Sequence, residues 1–146
     1  MSSINFYNED INYRIRNKKL LSNWLTKSIE LEDKQIEEIS FIFTSDSFLL
    51  NLNTEYLSHD TFTDIITFQY NEEGAKLHSD IFISIERVKD NAKEYKQTML
   101  NELHRMLIHG VLHLLGYKDK NKKAKQIMTR KEDYYLSLRP ENLLSF

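Results

Sequence analysis

The chain has 146 residues and not one cysteine. That absence excludes disulfides and every thiolate metal site. No stretch approaches the roughly 20 consecutive apolar residues of a membrane helix. The longest apolar run is interrupted by two histidines. The opening MSSINFYNED has neither the charged start nor the apolar run of a secretory signal. Neither sign of charge dominates: 20 basic residues face 22 acidic ones, for a net charge of −2. That balance carries no global nucleic-acid signature, so any polyanion site must be a local patch. Internal repeats, low-complexity linkers and an obvious domain boundary are also missing. These absences set the expectation of a single cytoplasmic domain over residues 1–146, with no membrane association and an open oligomeric state. One proline and three glycines, with eight each of Tyr and Phe, leave ample material for a core.

Hydrophobic periodicity predicts the elements. INFY (4–7) reads as an edge strand, and residues 17–32 as a helix with Leu20, Leu21, Trp24, Leu25 and Ile29 at helical spacing. IEEISFIFT (36–44) alternates as a strand, and Ser45 or Asp46 caps a helix through about Leu57. TDIITFQY (63–70) reads as a strand buried on both sides, NEEGAKLH (71–78) as a loop and SDIFISIE (79–86) as another strand. Helical pattern then runs from Val88 to Leu115, with a possible break near 95–98, and Gly116 is suited to stop it in a left-handed conformation. A last helix spans about Lys122 to Leu138, before Pro140. The implied fold class is α/β (α+β): one small mixed sheet of about four strands with helices packed on it.

HGVLHLLGYKDK (109–120) carries the chemistry. Residues four apart on a helix differ by about 40° of rotation and about 6 Å of rise. His109 and His113 therefore project from one face and can hold one ion, in the manner of a zincin-like metal helix, while Leu103, Leu107, Val111 and Leu114 bury another face. His104 lies roughly opposite His113 and falls outside the site. Taken alone, such a pair is more often two half-buried histidines than a metal site. Two features shift the balance: Gly116 turns the chain back, and Asp119 follows within reach as an ordinary zinc ligand. The familiar helical zinc proteases carry a glutamate base directly after the first histidine. Gly110 occupies that position, which argues against a metal-dependent peptidase.

HGVLHLLGY followed by a polar ligand resembles the signature of the YbeY family of bacterial endoribonucleases and rRNA maturation factors. LN (52–53), Tyr56 and TDIITF (63–68) resemble the family's LN–Tyr–TDVLSF block, SDI (79–81) its GDI, and Met128 with Glu132 its Met-x-x-x-Glu. The resemblance spans residues from about 48 to the C-terminus. It implies an α/β fold, a Zn²⁺ ion held by three residues, cleavage of single-stranded RNA, and ribosomal RNA and ribosomal subunits as partners. Carried over by position, the catalytic metal ligands are His109, His113 and Asp119. Two departures stand out: Lys118 and Asp119 replace the family's Asp–His, and Leu57 replaces its arginine after the tyrosine, with His59 the nearest substitute. Two neutral imidazoles and one carboxylate leave Zn²⁺ with a formal charge of +1, against +2 for three histidines, so its bound water is acidified less and harder metals such as Mn²⁺ are better tolerated.

From Lys118 to Lys131 there are seven basic residues and one acidic one. Lys118, Lys120, Lys122 and Lys123 are the candidates for binding an RNA backbone; the alternative is a solvated helix face. Asp64 is the favoured outer-sphere partner of a histidine, ahead of Asp80. Glu132 is either a surface ion pair or a support for the site. Phe62, Phe68 and Tyr70 either stack bases or pack the strands. The leading reading is a metal-dependent endoribonuclease in ribosomal RNA processing. The rival reading is a ribosome-associated assembly factor with a mainly structural metal and little nuclease activity.

Overall fold

A computed structural model describes residues 3–57 and 63–144. Ile39, Phe41 and Phe43 alternate with smaller or polar residues, and they form the strand β2 (Ile36–Thr44). The strand β1 (Ser3–Asn8) pairs with it in parallel, β4 (Leu77–Ser84) pairs in parallel on its other side, and β3 (Ile65–Gln69) runs antiparallel to β4. The sheet order is β1-β2-β4-β3, one mixed sheet of four strands. The helices are α1 (Lys18–Leu31), α2 (Asp46–Leu57), α3 (Ile85–Glu94), α4 (Met99–Leu114) and α5 (Lys122–Ser137), followed by a short 3₁₀ turn at Glu141–Leu143. Among the described residues no helix is long and apolar enough to cross a membrane.

The period-2 rule sorts the sheet's two faces. Ile81 and Ile83 of β4 are fully buried beneath α4, whereas Phe82 points to the opposite face and stacks on Phe48 of α2. The helix α4 is covered by α1, α3 and α5 as well as by the sheet, and Leu103, Leu107, Ile108, Val111 and Leu112 all have at most 1% of their surface exposed. It is the central element of the core. Thr98 caps its start by accepting from the Asn101 amide at 3.0 Å.

Three features differ from the periodicity reading. β3 is not buried on both sides: it is a sheet edge in which only Ile66 is buried. A run of β-branched and aromatic residues describes a covered central strand and a half-covered edge equally well. The strand β4 begins at Leu77, inside the segment read as a loop, because Leu77 inserts into the core. The helical stretch starts at Ile85 rather than Val88, because the Ser84 hydroxyl accepts from the Arg87 amide and caps it. The break near 95–98 is present, with Lys96 in the left-handed region at φ 55°.

Gly110 faces Ile65 and Ile81, and a Cβ there would lie 2.9 Å and 3.0 Å from their side chains. Position 110 therefore points into the sheet contact and away from the histidines, so a glutamate there would bury its charge among isoleucines. Gly110→Val is expected to destabilise the fold by about 1–3 kcal/mol through overpacking, read as a lower urea midpoint at unchanged slope.

His104 is 1% exposed, and its Nδ1 accepts from the Arg139 guanidinium at 2.8 Å. Burial, with the Arg139 charge acting in the same direction, pushes its pKa from 6.5 down to about 4. Above pH 6.5 the ring is neutral in both folded and unfolded chains. As pH falls from 6.5 toward 4, the unfolded chain takes up a proton that the folded chain refuses, so stability is lost. The expected loss is roughly 3 kcal/mol by pH 4, measured by chemical denaturation across that window, with His104→Gln lacking this component.

Candidate metal centre

The two imidazoles sit one helical turn apart in the last turns of α4, where the helix leaves the core. Gly116 ends the helix at φ 101°, with its amide donating to the His113 carbonyl and the Tyr117 amide donating to the Leu112 carbonyl. This is a Schellman turn, and it reverses the chain over the end of the helix. The reversal brings the Asp119 carboxylate to 3.5 Å from Nε2 of His109 and 3.5 Å from Nε2 of His113. Those two nitrogens are 2.9 Å apart. His109, His113 and Asp119 thus offer three ligand atoms around one point.

The outer nitrogens decide what the inner ones can do. Nδ1 of His113 faces the Tyr117 carbonyl at 3.1 Å, and a carbonyl can only accept, so this nitrogen carries hydrogen. Nδ1 of His109 donates in the same way to the Glu132 carboxylate at 2.6 Å. In the neutral rings, both Nε2 lone pairs then point at one another. Two lone pairs at that distance require a cation between them, either a shared proton or a metal ion. A tetrahedral ion with bonds of about 2.0–2.1 Å spaces its ligand atoms about 3.3 Å apart, close to the separations found. The donor set therefore fits a first-row divalent ion. The His side chains keep 19% and 26% of their surface open and Asp119 keeps 40%, which leaves a side of the site for a further ligand.

Burial pulls the His109 pKa down, but the hydrogen-bonded charge of Glu132 more than offsets it, and the net shift is upward. Burial and the neighbouring His109 hold His113 below its ordinary value. Glu132 is itself buried and fixed by Arg105, whose guanidinium donates to it at 2.7 Å and to Asp133 at 2.6 Å. The carboxylate that grips His109 is thus Glu132, one of the two roles read for it from the sequence. Asp64 lines the same cleft and acts on His109 through its charge. Asp80 instead accepts from the Tyr70 hydroxyl at 2.8 Å.

A second support is not legible as a motif. Glu32, just past the end of α1, accepts from the Tyr117 hydroxyl at 2.6 Å, from the Lys131 ammonium at 3.0 Å and from the Tyr135 hydroxyl. Burial alone would raise the Glu32 pKa; these three donors bring it below its ordinary value. Glu32 lies 85 positions from Tyr117 in sequence. It ties the turn that bears Asp119 to α1 and α5 together.

Lys118, Lys120, Lys122 and Lys123 are exposed along this turn and the first turn of α5, and none is ion-paired with a described residue. The Asn121 side chain caps α5 by accepting from the Ala124 amide at 2.8 Å. Phe68 packs edge-on against Tyr56 and Phe82, which places it in strand packing. His59 and Phe62 lie outside the described residues, as does the side chain of Leu57.

A turn carboxylate closing over paired imidazoles, on a helix packed against a small mixed sheet, makes this an α/β protein with a group of side chains that could hold a metal ion. The chain belongs to the Endoribonuclease YbeY family, whose model matches residues 3–138. The Endoribonuclease YbeY of Cytophaga hutchinsonii is 49% identical over 137 residues, covering 94% of this chain and 96% of that protein. That of Flavobacterium psychrophilum is 46% identical over 132 residues, covering 90% and 94%. A Thermotoga maritima protein solved in solution superposes with a TM-score of 0.64 at 27% identity, covering 92% of this chain and 87% of that one.

Glu132→Gln removes the charge that holds His109 and frees Arg105. Loss of such a supporting partner is expected to weaken affinity for Zn²⁺ or Mn²⁺ about 10–100-fold, measured by calorimetric titration of the metal-stripped chain.

Proposed function

We propose that this chain is a metal-dependent endoribonuclease. It cleaves single-stranded RNA in ribosomal RNA processing and ribosome maturation, in the cytoplasm, with residues 1–146 working as one domain and ribosomal subunits as its partners. The observation that carries this reading is the convergence of the His109 and His113 Nε2 atoms with the Asp119 carboxylate, in a chain whose named relatives are endoribonucleases. His109, His113 and Asp119 hold the ion, and Zn²⁺ suits their tetrahedral spacing and nitrogen-rich donor set. When bound there, the ion supplies a Lewis acid that polarises a phosphoryl oxygen.

The remaining roles fall to the chain's own groups. Glu132 and the Tyr117 carbonyl fix the tautomer of each imidazole, so the ligand lone pairs are aimed before RNA arrives. Lys118, Lys120, Lys122 and Lys123 bind the phosphodiester backbone beside the reacting bond and offset the negative charge that Asp119 brings to the site. Arg105 does not take part in that binding, because both Glu132 and Asp133 already engage it.

Cleavage of an end-labelled single-stranded RNA by the metal-loaded chain tests the proposal. His113→Ala is expected to lose at least about a hundredfold in rate, as for removal of one group from an electrostatic site. Equal cleavage by that variant would mean a contaminating nuclease and would end this reading. Replacing Lys120, Lys122 and Lys123 together by glutamine is expected to weaken RNA binding across sequences. The slope of its salt dependence should flatten by about 0.7 for each phosphate left without a neutralising lysine.

A further inference from the structure

Beside the metal centre lies a cleft of about 470 Å³, lined by residues of α3, α4 and α5 and the start of β3. His109 and its partner Glu132 form part of its wall, so the cleft lies against the outer side of a candidate ligand. Glu102, two helical turns before His109, is only 5% exposed, yet its carboxyl makes no hydrogen bond to a described residue. Among the described residues no side-chain oxygen is both sealed from solvent and unpartnered, so the Glu102 oxygens reach the cleft. Burial raises its pKa, and the carboxylates of Glu132 and Asp64 add to that effect against the opposing charges of Arg105 and His109. An acceptor held at such a cost gains from any donor that enters.

The other walls narrow the choice of ligand. Asn91 and Gln97, both amide-bearing, also line the cleft, and Tyr95 is an exposed aromatic at the end of α3. Three carboxylates and a fully engaged guanidinium make the cleft hostile to phosphate. The unpaired lysines lie instead on the turn after α4, where a backbone can bind. An aromatic surface with amides and an acceptor is the means by which proteins hold an unstacked base of single-stranded RNA. A volume of this size lies within the range of small-molecule sites.

We infer that this cleft is a nucleobase subsite, in which Glu102 accepts a hydrogen bond from the exocyclic amino group of adenine or cytosine while Asn91 and Gln97 read the rest of the base edge. Uracil has no such amino group and is disfavoured. The choice of a nucleobase as occupant rests on the RNA-cleaving reading of the neighbouring centre.

The test is titration of the full chain with free adenosine, cytidine and uridine, following the Asn91 and Gln97 side-chain amides by ¹⁵N NMR. Adenosine and cytidine are expected to shift both amides saturably and to bind at least roughly fivefold more tightly than uridine, the lower end of what one well-paired base edge discriminates. Glu102→Met, of similar size, is expected to keep or raise the melting temperature, since it removes an unpartnered buried carboxyl, and to lose that preference. Should this variant not fold, Asn91→Ala is expected to weaken adenosine binding at an unchanged fold. Equal binding of the three nucleosides, absent shifts at the two amides, a preference that survives Glu102→Met, or adenosine binding that Asn91→Ala leaves unweakened overturns the inference. RNA cleavage without nucleoside preference sinks the subsite alone. Nucleoside preference without RNA cleavage sinks the nuclease reading and leaves the subsite standing.

Discussion

Two imidazole nitrogens held 2.9 Å apart, with both outer nitrogens already committed to oxygen acceptors, set the terms for the whole active face. Neither ring can turn away without leaving a buried polar partner unpaired. Glu132 would be left beside Arg105 with no imidazole to receive, and the Tyr117 carbonyl would be stranded within the turn. The centre is therefore prepared by the fold. The sheet fixes α4, α5 delivers Glu132, and the Schellman turn at Gly116 delivers both the Tyr117 carbonyl and Asp119. The supports to the imidazoles are hydrogen bonds to their far sides, and such an outer layer favours an ion site over two incidental histidines on a helix.

The cost of this arrangement lies in the charges beneath it. Glu102, Glu132 and Asp64 face one cleft, with Arg105 their principal compensation. Arg105 is shared between Glu132 and Asp133, so its charge is largely spoken for. Carboxyl groups gathered in this way work against stability unless something cationic or hydrogen-bond donating joins them. A divalent ion at the histidines and a donor in the cleft both answer that need, so local energetics and chemistry point the same way.

Much of this is written in local pattern. The four-residue spacing of His109 and His113, the glycine that ends the helix and the carboxylate after the turn follow from helical geometry and turn chemistry alone, as do the strand at 36–44 and the helix at 122–138. Long-range partners carry no such signature. Nothing in the neighbourhood of Glu32 ties it to Tyr117, since that pairing exists only once α1 and α5 pack together. Glu132 is ambiguous in sequence because a surface ion pair and a buried support have the same local surroundings. Glu102 is invisible there for the opposite reason: its interest lies in what it fails to touch. The edge position of β3 is likewise hidden, because composition reports which residues suit a strand and not how many neighbours the strand acquires.

The three candidate ligands belong to parts of the molecule that differ sharply in how firmly they are held. Both imidazoles ride on the most deeply covered helix, while the carboxylate hangs on a solvent-facing bend secured by Tyr117 and its link to Glu32. Excursions of that bend need only a local opening, whereas moving the backbone beneath either ring requires the core helix itself to open. An ion held by these three groups would therefore exchange most readily through the bend that carries Asp119, a latch with two fixed jaws and one that swings.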